Sequence, residues 1–362
     1  MKHLSILFFI IMALSCKKAK ENTSVNTDPV KLKTTEIATG LSNPWEILEG
    51  PNNELWFTEK GGKISRINLE TKQVNTIFTV PDVASNGEGG LLGMVLHPDF
   101  TTSQFVYLVY NYNSSNGYKE KVVRYNYSNG SLNTPKILLQ DIPANSFHNG
   151  SRLMIYADKL FITTGDAGNA NNAQDKNSIS GKVLRMNLDG TIPSDNPFPN
   201  SYVYSFGHRN AQGLVMVDDK IYSSEHGPNN DDEINIIQKG RNFGWPNVEG
   251  FCDKSAESNF CTANNVVEPL MVWTPTIAPS GMVYYNADLI PQWKNSLLLA
   301  VLKGSKVLQL KLKADKTGID TATDFLVNDF GRIRDLAVAK DGKVYFCTSN
   351  GNNDKIVMVS PE

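Results

Sequence analysis

The residues with most chemistry to offer are His208-Arg209-Asn210 and the run SEHGPNNDDE from Ser224 to Glu233. They set imidazoles, a guanidinium and carboxylates between the apolar segments Leu214-Val217 and Ile234-Ile237. Such groups move protons, stabilise developing anions and bind hard cations. Asn- and Asp-rich runs also make solvated turns. A polar cluster this dense between two strand-like segments is nevertheless placed as functional loops are, on a rigid scaffold. Glu88, His148, Asp166, Lys303, Arg332 and Arg334 share that setting, each beside an apolar run.

Those apolar runs recur. Short segments rich in Val, Ile, Tyr and Phe alternate with Gly, Asn and Asp turns, and no long stretch has the three-and-four spacing of a helix. One unit is repeated six times, beginning at Pro44, Leu91, Arg152, Gly213, Gly281 and Asp335. The first copy runs through Pro44-Trp45-Glu46-Ile47, Leu55-Trp56-Phe57-Thr58 and Lys63-Ile64-Ser65-Arg66-Ile67. A period of roughly 40 to 60 residues with several strands per repeat suits propeller blades, because a four-stranded sheet needs a neighbour on each face. The predicted fold is all-β, a six-bladed β-propeller of four-stranded antiparallel blades. Thr34 to Ile37 would add the outer strand of the last blade and close the ring. A pair of β-sandwiches is the other arrangement, but the repeats do not divide into two groups. On a propeller, the polar residues above would converge on one mouth of the central channel.

Residues 1–15 stand apart from the fold. Lys2 and His3 precede an apolar run, Leu4 to Leu14, too short to span a bilayer, which ends in Ala13-Leu14-Ser15-Cys16. This resembles a bacterial lipobox. The resemblance implies cleavage before Cys16, lipidation there and a periplasmic or cell-envelope location with a lipid anchor as the membrane contact. Residues 16–32 are polar and read as a flexible tether, leaving 33–362 for the propeller. The formal net charge of −2 gives no reason to expect nucleic acid as a partner. In an exported chain, Cys252 and Cys261 in one polar loop favour a local disulfide over a metal pair. Cys347, in the apolar strand Val344-Tyr345-Phe346-Cys347, reads as a buried, unreactive thiol.

Seven segments then carry a more specific resemblance: GEGGLLGMVLHPDF at 87–100, HNGSRL at 148–153, TTGDAGN at 163–169, GHRNAQGL at 207–214, SEHGPNNDDEIN at 224–235, NFGWPN at 242–247 and PTIAPSG at 275–281. In this order they resemble the soluble quinoprotein glucose dehydrogenases, the glucose/sorbosone or aldose sugar dehydrogenase family. That resemblance implies pyrroloquinoline quinone and Ca2+ as cofactors, an aldose as substrate and an external electron acceptor. It assigns His148 as the general base toward the sugar C1 hydroxyl and Asp166 as its orienting carboxylate, also beside the substrate. Arg209 would face the anion developing on the quinone, with Asn210 beside it. Thr276, Lys303, Arg332 and Arg334 would hold the cofactor carboxylates, and the carbonyls of Gly227 and Pro228 the calcium. Asp232 matches a position near substrate or cofactor.

The chain departs from the best-known glucose-oxidising members where they carry glutamine: it has Glu88 before Gly89-Gly90 and His226 before Gly227. The resemblance implies that both positions adjoin the cofactor, and Glu88 the substrate as well. The His226 form resembles the aldose-dehydrogenase branch, of broad substrate range. A carboxylate at 88 is expected to alter which hydroxyls are accepted or to weaken binding of an anionic cofactor. Two other functions fit a six-bladed propeller: a calcium-dependent lactonase-like hydrolase and a non-catalytic ligand-binding propeller. The cations at 303, 332 and 334 give a hydrolase no evident use.

Overall fold

In the computed structural model, which describes Met1 and residues 28–362, the strands sort by depth, and the sequence explains why. The second strands of the blades are buried along nearly their whole length. Leu55, Trp56 and Phe57 have no exposed surface, nor do Leu297, Leu298 and Leu299. A strand covered by a neighbouring sheet on each face loses the in-out alternation of a half-buried one. Outer strands such as Ile319–Phe325 are mostly exposed and read polar.

The strands form six four-stranded antiparallel sheets. Blade 1 is Pro44–Glu49, Glu54–Glu59, Lys63–Asn68 and Val74–Thr79. Blades 2 to 5 follow in chain order, starting at Leu91–Leu96, Gly150–Tyr156, Ala211–Val217 and Pro279–Tyr285. Blade 6 starts at Ile333–Val338 and takes its outermost strand, Leu32–Leu41, from the N-terminal side. There Thr35 pairs with Met358, as the predicted closure requires. There is no single core. Six apolar clusters fill the six gaps between successive blades, among them Trp56, Met94 and Leu108 between blades 1 and 2.

The innermost strands pack as a ring around the channel, each against the next, and that of blade 6 against blade 1. Each is bulged against its blade partner within its first residues, as between Pro44 and Ile47 or Gly150 and Leu153. A bulge bends the strand and re-aims its side chains. Five of the six carry Trp45, Arg152, Gln212, Ser280 and Arg334, which meet one another across the channel. Below the mouth, Arg152 bonds Glu46 at 2.7 Å and Asp335 at 3.0 Å, and lies 4.2 Å above the Trp45 ring.

The expected signal segment 1–15, apart from Met1, and the expected lipid site Cys16 lie outside the described residues, as does most of the expected tether. The last tether residues are docked: Val30 exchanges two hydrogen bonds with Gln292, at 3.1 and 2.9 Å. The propeller therefore starts slightly before the predicted boundary at 33. Cys252 and Cys261 are disulfide-bonded. The segment around them, read from the sequence as loop, holds the helix Ser255–Asn264, which carries Cys261. It is only ten residues long and Phe260 is its one large apolar side chain, so the apolar stripe that signals a helix is weak. Cys347 is fully buried, and burial pushes its thiol up.

Candidate active site

His148 and Asp166 meet at the mouth. His148 ends the loop entering the innermost strand of blade 3, and Asp166 follows the neighbouring strand Lys159–Thr164. The ring Nδ1 lies 2.8 Å from Asp166 Oδ1. Asp166 also accepts the Gly168 N–H at 2.8 Å and, on Oδ2, the Trp245 indole N–H at 3.0 Å. Burial pushes this carboxyl up, but the bonds from His148, Gly168 and Trp245 outweigh it and hold it below the usual range. The loop lies so close to the strand end that a Cβ at Gly165 would sit 1.9 Å from the His148 carbonyl oxygen, so only glycine fits there.

Arg209 reaches the same mouth from blade 4. Its Nη1 donates to the carbonyl oxygens of His226 at 3.2 Å and Gly227 at 2.9 Å, and its guanidinium lies 5.2 Å from the Trp245 ring centre. Glu225 sets this geometry. One oxygen accepts the backbone N–H groups of Arg209 and of Asn210, and the other bonds His208 Nδ1 at 2.9 Å. His208 is fully buried, so in the motif that first drew attention it is a support for Glu225. Asn210, also fully buried, accepts the Gly150 N–H at 3.0 Å. His226 Nε2 donates to the Pro279 carbonyl at 2.7 Å. Burial, with the nearby Arg334 cation, pushes this imidazole down to about 3, so it is neutral and keeps Nδ1 as an acceptor.

Further round the rim, Arg334 donates to Gln212 Oε1 at 2.7 Å and Ser280 Oγ at 3.3 Å. Burial pushes its guanidinium down to about 10, against the pull of Glu88. Arg332 is exposed and Arg334 buried, yet both line one cavity of about 260 Å3 with Glu88, Trp45 and Lys60. Lys303 donates to Thr276 Oγ1 at 2.9 Å. Glu88 Oε2 lies 3.4 Å from the His148 backbone nitrogen, which joins this cation-rich side to the base.

Asp232 has a different place from the one the resemblance gave it. It is fully buried, and its oxygens accept the N–H groups of Gly227 at 2.8 Å, Ile277 at 2.6 Å and Ala278 at 2.7 Å. It has no surface with which to touch a substrate and instead fastens the loop at 227 to the loop at 277. Gly227 and Pro228 line a small pocket with Glu225, Asp231, Glu233 and Glu249. Burial beside Glu225 pushes the Glu233 carboxyl up. Among the described residues no group of three or more His, Cys, Asp or Glu side chains is arranged to hold a metal ion.

The family description "Glucose / Sorbosone dehydrogenase" matches residues 41–358, nearly the whole propeller. The chain belongs to the glucose/sorbosone dehydrogenase family. It is 33% identical to quinoprotein glucose dehydrogenase B of Acinetobacter calcoaceticus, over 88% of this chain and 85% of the relative. To the aldose sugar dehydrogenase YliI of Escherichia coli it is 32% identical, over 92% and 94%. The PQQ-bound form of aldose sugar dehydrogenase from Streptomyces coelicolor superposes with a TM-score of 0.80 at 32% identity, covering 92% of this chain and 99% of that one. As a glucose/sorbosone dehydrogenase the chain is an oxidoreductase.

In this family member several working residues lay beyond sequence reasoning. Trp245 stood in the NFGWPN motif, Gln212 in GHRNAQGL and Glu225 in the acidic run, all without a role, Trp45 only in the first repeat, and Lys60 outside every quoted segment. Trp245 and Glu225 were within reach of the reading, since a lone indole or carboxylate inside a matched motif needs a partner once buried.

Proposed function

We propose that the chain oxidises the C1 hydroxyl of aldoses to lactones with pyrroloquinoline quinone, and passes the electrons to an external acceptor. The observation that carries this is a positioned His148–Asp166 pair beside buried donors that lack protein acceptors: Arg209 Nε, Asn210 Nδ2 and Arg334 Nε. Buried donors are paired in folded proteins as a rule, so these fit a bound, acceptor-rich anion. A planar tricarboxylate answers that description, and Lys303, Thr276, Arg332 and Arg334 would hold its carboxylates. Bound there, the quinone supplies the hydride acceptor.

The chain's own residues supply the rest. His148 Nε2 takes the hydroxyl proton, since Nδ1 is committed to Asp166. Asp166 fixes the tautomer and offsets the imidazolium charge. Arg209 and Asn210 present fixed positive charge and an amide donor where negative charge develops, without reorganising during the reaction. His226, neutral, adds hydrogen bonding to the cofactor side without another charge.

Calcium fits less well. Gly227 and Pro228 would hold it through their carbonyls, but the Gly227 oxygen already accepts from Arg209, and among the described residues the carboxylates lining that pocket are not arranged as a set of metal ligands. It enters the proposal only as an additive to test. Export and lipidation at Cys16 also belong to the proposal, supported by the lipobox-like segment and by the Cys252–Cys261 disulfide, which suits an oxidising compartment.

The test is dye reduction by the chain lacking residues 1–16, across an aldose panel, with and without pyrroloquinoline quinone and calcium. Activity strictly dependent on the quinone is expected. Activity without it, or none with it, would refute the reading.

A further inference from the structure

Phe147 immediately precedes the base and is exposed to 42%. Among the large apolar side chains that the described surface leaves exposed, it is the one adjoining His148, with ring centres 4.8 Å apart at 86°. The ring also lies against Gly168, where an added Cβ would stand 3.0 Å from it. That glycine is the one whose N–H holds Asp166 Oδ1. The ring is therefore seated on the dyad itself.

The loop that presents it is fastened. Asn145 N donates to Asn149 Oδ1 at 3.1 Å, and Asn149 Nδ2 returns a bond to Asn145 O at 2.9 Å. Asn145 Nδ2 donates to Ala167 O at 3.2 Å, and Glu88 N to Ser146 O at 2.7 Å. An apolar ring held in water by this many bonds has its conformational cost settled before any ligand arrives. Polar groups lie close by: His148 against the ring, Asp166 bonded to that imidazole at 2.8 Å, and Glu88 3.4 Å from the His148 backbone nitrogen. Sites of this make-up, an aromatic wall with a few placed polar groups, suit small ligands with one apolar face.

We propose that Phe147 is the stacking surface for the sugar, against which an aldopyranose lays the face that carries its C–H bonds while His148 addresses the C1 hydroxyl. The inference rests on the sugar-oxidising function proposed above. The negative face of an aromatic ring attracts the weakly positive C–H hydrogens of such a face. Contacts of this kind are made alike before and during the reaction, and so belong to substrate binding.

The test uses the quinone-loaded enzyme with D-glucose and the variants Phe147→Ala and Phe147→Tyr. Phe147→Ala is expected to raise KM roughly tenfold, the scale of a lost apolar contact in a specificity pocket, and to leave kcat within about twofold. Phe147→Tyr, which keeps the ring, is expected to restore KM. Saturation-transfer NMR on glucose should lose its signal at the C–H protons of the stacked face in the Ala variant and regain it in the Tyr variant. An active wild type with KM unchanged by Phe147→Ala overturns this inference alone. So does a fall in kcat at unchanged KM, which would make the ring a prop for His148. A wild type that oxidises no aldose overturns the function together with the inference.

Discussion

His148 Nδ1 and Asp166 Oδ1 stand 2.8 Å apart, and the carboxylate also accepts from Gly168 and Trp245. With Asp166 held ionised, the ring proton belongs on Nδ1, and Nε2 keeps the lone pair that a base needs. Asp166→Asn leaves the volume but not the charge, and lets the ring adopt the other tautomer. We expect kcat to fall by about two to four orders of magnitude with KM for the sugar little changed. Stopped-flow reduction of the quinone measures it, and a loss below tenfold would deny Asp166 an orienting role.

Arg209 bonds the Gly227 carbonyl and lies over Trp245. A lysine there keeps the charge but cannot serve a bond and a ring at once. Arg209→Lys should slow single-turnover quinone reduction by about 10²-fold while still binding the quinone. Unchanged single-turnover kinetics would remove Arg209 from the chemistry.

Asp232 is a test of structure against substrate contact. Asp232→Asn has one oxygen for three backbone donors, so we expect a loss of about 1–3 kcal/mol, read as a lower melting temperature, and an unaltered KM. Normal melting with a raised KM would restore the substrate role that the resemblance gave it.

Glu120 offers a pH signature away from the site. It is buried, one oxygen accepts the Ser151 hydroxyl at 2.6 Å and the other has no partner. Burial raises its carboxyl to about 8, from an ordinary 4.5. Between those values the native state binds more protons than the unfolded one, so this group lowers stability as pH rises. Glu120→Gln, which still accepts from Ser151, should melt higher than wild type at pH 8, and the gap should close near pH 4.5. A gap independent of pH would show that Glu120 is not protonated in the fold.

Glu88 shares its cavity with Lys60, Arg332 and Arg334. Its negative charge offsets theirs where a tricarboxylate is proposed to bind. Glu88→Gln should tighten quinone binding by about tenfold at low salt, roughly 1.4 kcal/mol, with the gain shrinking as salt screens the field. Titration at two ionic strengths decides it, and weaker binding in the variant would contradict this account.

Periodicity made the ring legible because each blade repeats the same burial gradient: Leu55-Trp56-Phe57 and Val344-Tyr345-Phe346 are equivalent strands under equivalent cover. The closing strand was legible as well, since Thr34 to Ile37 had no partner of its own in sequence. His148, Asp166 and Arg209 were legible through their motifs. Lys60 was not, and Gln212, though inside GHRNAQGL, gave no sign of its partner Arg334, because bulges and packing between blades bring such residues together and local sequence does not record them. Helix Ser255–Asn264 escaped because it is short and its one large apolar side chain, Phe260, makes no clear stripe. Asp232 was misplaced because a motif gives a residue's neighbourhood but not the direction of its side chain, here turned to three backbone N–H groups.

The strand Leu32–Leu41 is zipped to Asp354–Pro361, and the Glu362 N–H bonds the Lys31 carbonyl at 3.1 Å. The first and last strands of the propeller are thus one clasp, whose halves are separated by almost the whole of the chain. Contacts so distant in sequence form late, and during synthesis the clasp cannot shut until the final residues have been made. Until then the inner faces of blades 1 and 6 stay uncovered. A C-terminal deletion of only the last strand would therefore also cast loose the first one, and open the ring at the seam between the blades that carry Trp45 and Arg334.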